Sequence, residues 1–362
     1  METIDEQIAG LTKRKIRSIT NKPDKTAAAV NLVYVHDYDP GITRKRKGKL
    51  FEYYFRDKKI VDDKTLQRIK SLVLPPAWEN VWICSVENGH LQATGVDVKK
   101  RKQYKYHASW NSLRNHTKYY RLLEFGKALH EVRKQLQKDL SLPGLPVEKV
   151  LALIVSLMEK TSIRVGNNFY EKLYGSFGLT TLKDKHVSFK GDEVQFLFKG
   201  KKGVEHNITL KSKKLAMLVK KCQDIPGKEL FQFYDENKVK KTIDSGMVNE
   251  YIKKISNTDF SAKDFRTWSG TVQAFLCFKE MNITDGEMDS KKKIVAVLDT
   301  VAKHLGNTRT VCKKYYVHPV ILNLHESGQL EKYLKLGDEL KTNSDSSLSN
   351  EEEILLKILE TN

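Results

Sequence analysis

At 362 residues the chain is longer than one compact domain usually runs, so two domains with tails are expected. Hydrophobic residues make up 40%, enough for real cores, while 64 Lys and Arg against 45 Asp and Glu leave a formal net charge of +19. That imbalance favours a polyanionic partner, nucleic acid ahead of a membrane surface, although a basic face can also be merely solvated.

Residues 1–30 form a basic N-terminal segment with Lys13, Arg14, Lys15 and Arg17 close together. It has no apolar core of the signal-peptide kind, and no apolar run in the chain approaches the ~20 residues that span a bilayer. An intracellular protein with no signal peptide or transmembrane segment is expected, whether in nucleus, cytoplasm or virion. Alternation over Leu32-Val33-Tyr34-Val35 predicts a strand. The run Arg44 to Lys49 reads as a loop that is solvated, touches nucleic acid or serves as an import signal. Leu50–Phe55 is a predicted strand, Thr65–Leu72 a short helix stopped by Pro75-Pro76, and two strands flank an Asn88-Gly89 turn. Residues 31–112 therefore read as a small β-rich N-terminal domain.

Its last segment, Lys99 to His107, places Gln103, Lys105 and His107 on one face of an extended chain and Tyr104 and Tyr106 on the other. Lysines such as Lys102 can neutralise phosphates and Gln103 can bond a base edge; an edge strand defended by lysines is the plainer alternative. Near Ser109–Ser112 helical periodicity takes over. Tyr120–Leu140 is a long amphipathic candidate, and Val147–Glu159 is apolar enough to be a buried helix. A hairpin, Glu193–Lys199 and Val204–Leu210 around Gly200-Lys201-Lys202-Gly203, interrupts a larger, mainly helical domain over 113–340. Residues 341–362 are a linker and a short helix that Ser349 or Asn350 can cap.

The chemistry concentrates in four places. Val301 to Pro319 holds an apolar helical run, a Gly-Asn turn, several cations, two tyrosines and a His-Pro stop. Ile163-Arg164-Val165-Gly166-Asn167 follows the buried helix, Lys201 tips the hairpin, Lys263-Asp264-Phe265-Arg266-Thr267-Trp268 lies further on, and Asn307 precedes Tyr316 by nine residues. Each alone has an ordinary explanation: an ion-paired arginine, a solvated turn, a helix cap. The four cysteines, Cys84, Cys222, Cys277 and Cys312, lie far apart, which argues against a disulfide framework or zinc ribbon. Neither a P-loop nor a His-Glu-x-x-His motif occurs, so no cofactor, metal or nucleotide is expected.

Together with Gly89-His90-Leu91-Gln92-Ala93-Thr94-Gly95 and Lys102-Gln103-Tyr104-Lys105-Tyr106, these segments resemble, in order and spacing, the type IB DNA topoisomerases of the short poxvirus-like and bacterial branch. The resemblance runs from about Tyr34 to Leu324. It implies an α+β protein, with a β-rich DNA-binding domain before a helical catalytic domain of the kind shared with tyrosine recombinases. It also implies a monomeric clamp on double-stranded DNA that relaxes supercoils through a 3′-phosphotyrosyl intermediate, without ATP or metal. The resemblance makes Tyr316, directly before Val-His-Pro, the nucleophile rather than Tyr315. Arg164 and Arg266 hold the phosphate, Lys201 is the general acid, and Asn307 stands where much of the wider family has histidine. Asparagine can donate the same neutral hydrogen bond but cannot shuttle a proton. His304 and His318 are set aside. Gln103, Tyr104, Tyr106 and Tyr170 match DNA-contacting positions, and Lys102 and Lys263 are grouped with them; Asn167 stands where the poxvirus-like branch has lysine. The alternatives are a tyrosine recombinase, disfavoured by Lys263-x-x-Arg266 in place of His-x-x-Arg, and a non-catalytic DNA-binding protein.

Overall fold

The computed structural model describes residues 23–48, 50–98, 102–284, 289–339 and 347–362. The basic cluster Lys13–Arg17, Lys49, the triplet 99–101 and most of the linker after residue 340 lie outside the described residues. The chain divides into two units, Met1–Arg121 and Leu122–Asn362.

The first unit is built on a six-stranded antiparallel sheet in the order β3-β2-β1-β4-β5-β6. The strands are β1 (Gly41–Lys47), β2 (Leu50–Phe55), β3 (Lys58–Lys59), β4 (Glu79–Cys84), β5 (Leu91–Val96) and β6 (Lys102–Tyr106). Helix α1 is Pro23–Ala28 and α2 is Asp63–Ser71, the latter started by Asp62, whose carboxylate accepts from the Lys64 and Thr65 amides. Ile42, Ile83 and Ala93 of the sheet bury against Ile69 and Leu72, and a second cluster joins Ala27, Val30 and Leu32 to Trp110 and Leu113.

Two sequence expectations fail here. Leu32–Val35 is no strand: among the described residues it contributes one isolated parallel bridge, Val33 to Gly89. Leu32 is buried in the small cluster while Val33 and Tyr34 are exposed, so the alternation reflects one anchored loop residue. Arg44–Lys47, read as a loop, belongs to β1, paired residue for residue with β2. Its charges are accommodated by aromatic neighbours across the strand pair: Arg44 lies 4.3 Å from the Phe51 ring centroid and Lys45 4.7 Å from that of Tyr54.

Helix α3, Ala108–Leu140, is one continuous 33-residue helix. The second unit is mainly helical and centres on α4 (Val147–Thr161), in which every residue from Lys149 to Met158 is buried. At roughly 1.5–3 kcal/mol for each fully buried aliphatic side chain, that helix is a principal source of the unit's stability. Around it lie α5 (Asn168–Tyr174), α6 (Lys213–Gln223), α7 (Ser245–Ser256), α8 (Ala262–Thr284), α9 (Ser290–Leu305), α10 (Arg309–Tyr315), α11 (Pro319–Glu326), α12 (Glu331–Glu339) and α13 (Asn350–Thr361). A three-stranded antiparallel sheet, β7 (Val187–Lys190), β8 (Glu193–Lys199) and β9 (Glu205–Lys211), contains the hairpin, and β10 (Gln232–Tyr234) pairs with β11 (Lys240–Thr242). Ser349 caps α13 in a capping box with Glu352. Among the described residues no helix is long and apolar enough to cross a membrane.

Candidate active site

Helix α4 ends at Ser162, which takes a left-handed conformation and turns the chain into the extended segment carrying Arg164. That segment is fixed by its own backbone: the Leu179 amide donates to Arg164 O (2.9 Å) and the Thr180 amide to Val165 O (2.7 Å). Arg164 donates from one guanidinium nitrogen to Gly306 O (3.1 Å) and to Asn307 Oδ1 (2.6 Å). Arg266, one turn into α8, is buried and donates to Ser162 O and, at 2.8 Å, to Leu305 O.

The tyrosine arrives from the other side. Helix α9 ends at Gly306 in a left-handed cap (φ +59°), Thr308 caps α10, and Tyr316 is the residue on which α10 ends. The expected His-Pro stop is instead a start. His318 accepts from the Val320 amide through Nδ1, and Pro319 opens α11, where its missing N–H costs nothing. Tyr316 packs on the core, and its backbone lies so close to α8 that a Cβ at Gly270 would stand 2.7 Å from Tyr316 O. The guanidinium carbon of Arg266 is 5.2 Å from the Tyr316 ring centroid. Tyr315 is exposed, with Lys314 over its ring at 5.4 Å.

The electrostatics distinguish this pocket. Among the described residues neither Arg164 nor Arg266 has a carboxylate within ion-pair distance; both are held by neutral carbonyl oxygens. Burial and the neighbouring Arg266 push the Arg164 pKa down to about 10, with Tyr316 and Cys312 opposing. Burial likewise lowers Arg266, again opposed by Tyr316. A guanidinium stays protonated at neutral pH, and with no carboxylate beside them among the described residues the charge of the two is uncompensated. Arg266 Nε and Asn307 Nδ2 are buried donors without an acceptor among the described residues. Buried donors normally find acceptors, so two orphans beside two uncompensated guanidinium groups leave the pocket short of acceptors of the kind an anion's oxygens would supply.

The second unit thus brings Arg164, Arg266, Asn307 and Tyr316 together. Lys201 is exposed on the one-turn 3-10 helix Lys201–Gly203 at the hairpin tip, with no hydrogen bond or ion pair among the described residues. Lys263 is exposed one turn before Arg266, and Tyr170 is exposed on α5. His304 Nε2 lies 3.2 Å from Ser162 Oγ and 3.4 Å from Ser269 Oγ, in the polar packing behind the arginines. In the first unit, β6 shows Tyr104 exposed and stacked on Tyr106 at 6.0 Å and 10°. Lys102 is paired with Asp37, and Gln103 Nε2 donates to Asp97 Oδ2 at 2.8 Å. Gln103 thus has an acidic partner within its own unit.

Two residues of the pocket escape sequence reading. Cys312 is fully buried one turn before Tyr316, and burial pushes its thiol up to about 11 against the pull of Arg266 and Arg164. His206 lies on β9; the signal in the sequence was its place in the inward frame of the strand, with Ile208 and Leu210.

A set of basic donors around a tyrosine, on a helical unit with a sheet-built companion, is an arrangement suited to enzymes that break a phosphodiester and store the bond on tyrosine. Residues 102–342 match the family model of the eukaryotic DNA topoisomerase I catalytic core, and residues 50–97 match that of the bacterial DNA topoisomerase IB N-terminal domain. The chain is 30% identical over 295 residues to DNA topoisomerase 1B of Acanthamoeba polyphaga mimivirus, covering 79% of this chain and 88% of the viral protein. It is 28% identical over 233 residues to DNA topoisomerase 1B of vaccinia virus (strain Copenhagen), covering 64% of this chain and 71% of that protein. It is 25% identical over 237 residues to DNA topoisomerase 1 of rabbit fibroma virus (strain Kasza), covering 63% and 70%. The chain belongs to the type IB DNA topoisomerases, isomerases that act on DNA.

Proposed function

We propose that the chain relaxes supercoiled duplex DNA through Tyr316, with Arg164, Arg266, Asn307 and Lys201 as its partners in the chemistry. The tyrosine oxygen attacks a backbone phosphorus, the P–O5′ bond breaks, and a 3′-phosphotyrosyl link holds the strand while the free end rotates. The 5′-hydroxyl then attacks back and expels the tyrosine. Bond energy is conserved in the covalent link, so neither direction consumes ATP.

A phenol of pKa ~10 is a poor nucleophile at neutral pH. Arg266, whose guanidinium carbon lies 5.2 Å from the Tyr316 ring centroid, neutralises with Arg164 the charge that gathers on the non-bridging oxygens of the pentavalent state. Arg266 Nε and Asn307 Nδ2 supply hydrogen bonds there, and losing one such preorganised donor typically costs ~10²–10³ in rate. The leaving 5′-oxygen needs a proton, which Lys201 provides. In the first unit, Lys102, Gln103, Tyr104 and Tyr106 on β6 contact the duplex, as do Tyr170 and Lys263 in the second, and one copy of the chain suffices.

The observation that carries this reading is a buried Arg266 and a half-buried Arg164, held among the described residues only by neutral oxygens, beside Tyr316. Incubation with negatively supercoiled plasmid, with chelator and without nucleotide, should yield relaxed topoisomers and, on denaturation, protein attached to a 3′ end. Relaxation that requires ATP, or attachment at a 5′ end, is incompatible with it.

A further inference from the structure

In β9 the burial alternates, and His206 falls in the inward frame with Ile208 and Leu210. It stands opposite Phe198 in the β8–β9 register, and the two rings stack with centroids 4.9 Å apart and planes 17° off parallel. The free edge of the imidazole lies between two backbone segments. A Cβ at Gly200 would stand 2.6 Å from His206 Cδ2 and Nε2, and a Cβ at Gly306 would stand 2.5 Å from His206 Cε1. Gly200 immediately precedes Lys201, and Gly306 immediately precedes Asn307.

The glycines report different things. At Gly306 the left-handed φ already disfavours a side chain. At Gly200 the backbone (φ −92°, ψ −164°) suits any residue, so glycine is needed there for space, and only the His206 ring occupies that space within 3 Å. Neither ring nitrogen of His206 has a hydrogen-bond partner among the described residues. Burial, reinforced by Arg164 and Arg266, holds its pKa below the ordinary histidine value, so the ring is neutral at neutral pH. A neutral ring without polar partners acts through shape.

We propose that His206 is a positioning residue: its ring seats the Gly200–Lys201 hairpin tip on the Gly306–Asn307 turn, and so fixes the reach of Lys201 toward the leaving 5′-oxygen. The exposed Lys201 ammonium has no other anchor among the described residues, and a general acid contributes only when held within hydrogen-bond reach of the atom it protonates. This inference rests on the general-acid role proposed for Lys201.

The test exploits the leaving group. Replacing the bridging 5′-oxygen at a mapped cleavage site by sulfur leaves a thiolate, whose conjugate acid has a pKa of only ~8.5 and which departs without a proton. On the ordinary duplex, His206→Ala should slow single-turnover cleavage by about 10–10²-fold, part of the ~10²–10⁴-fold that a positioned acid supplies. On the 5′-thio duplex it should cleave at nearly the unmutated rate. His206→Phe, which keeps the ring and the Phe198 stack, should be nearly unimpaired on both. Lys201→Ala should also be rescued by sulfur, and Arg266→Ala should not. Lys201→Ala rescued while His206→Ala is equally slow on both substrates, or not slowed on either, overturns the positioning role alone. Lys201→Ala left unrescued overturns the Lys201 assignment, and the role of His206 with it. His206→Phe as slow as His206→Ala would show that a ring nitrogen, not the ring's shape, matters. Equal melting temperatures for the variants keep misfolding out of the comparison.

Discussion

The second unit takes arginines wholly or partly out of solvent in two places, and the two differ in their partners. Arg133 donates to Glu159 at 2.8 Å and to both oxygens of Glu352 at 2.8 Å, and Glu352 also accepts from Trp268 Nε1 at 2.9 Å. Burial alone would lower the Arg133 pKa, but the two carboxylates outweigh it and hold it above the ordinary value. Arg164 and Arg266 have carbonyl oxygens and an amide instead, and both are lowered. The first arrangement consumes its charge in joining α3, α4, α8 and the C-terminal α13. The second leaves its charge without a counter-ion among the described residues, at some cost in stability, because a desolvated ion without a counter-ion is unfavourable. On the proposed reading, partner type rather than burial separates the arginine that holds the fold from the two that would hold a phosphate.

The comparison can be broken most severely by giving the pocket a carboxylate. Asn307→Asp places one where Arg164 already donates. Cleavage should fall by at least the ~10²–10³-fold of a lost donor, while the unfolding midpoint rises. Single-turnover cleavage and denaturant melts read the two effects, and a variant both active and no more stable would erase the distinction. Arg266→Ala should cost a similar factor in cleavage.

The converse change belongs to the other arginine. Arg133→Ala leaves Glu159 and Glu352 without their cation, and breaking a buried pair costs about 3–5 kcal/mol. Urea unfolding should show that loss, while cleavage by the folded fraction persists. The acid side sharpens the contrast. Burial would raise the Glu352 pKa, but Arg133 reverses this and leaves it below the usual carboxylate value. Its contribution to stability is present above the unfolded pKa near ~4.3 and disappears as pH falls through the lower folded value. Glu352→Gln should therefore destabilise at neutral pH and flatten the stability profile in that acid window.

Smaller effects belong to the first unit. Gln103 and Lys102 already have the acidic partners Asp97 and Asp37. Replacing either by alanine should weaken duplex binding only modestly, and less than Tyr104→Ala, whose exposed ring has no carboxylate to satisfy. For the whole protein, contacts to six to ten phosphates would weaken binding by ~10³–10⁵-fold between about 50 and 200 mM salt. A flat response would contradict a surface that tracks the backbone.

The sequence made some of this legible and hid the rest for identifiable reasons. The β8–β9 hairpin and the buried α4 were readable because alternation, a Gly-Lys-Lys-Gly turn and an unbroken apolar run are local signals. Strand β1 was hidden because its cations look like a solvated loop until Phe51 and Tyr54 are known to lie across from them. Glu352 stands 219 residues from Arg133, so no spacing could pair them. The carbonyl partners of Arg164 and Arg266 leave no mark at all, because every residue carries a carbonyl. The resemblance could name the candidate residues of the pocket; only the fold shows that their charge is left uncompensated.

The central claim is that this uncompensated pair serves Tyr316. Denaturing electrophoresis of end-labelled duplex after incubation with Tyr316→Phe and Tyr315→Phe addresses it most directly. The account expects no covalent adduct with the first and an adduct at a 3′ end with the second. An adduct that survives Tyr316→Phe, or vanishes with Tyr315→Phe in a folded protein, would contradict it.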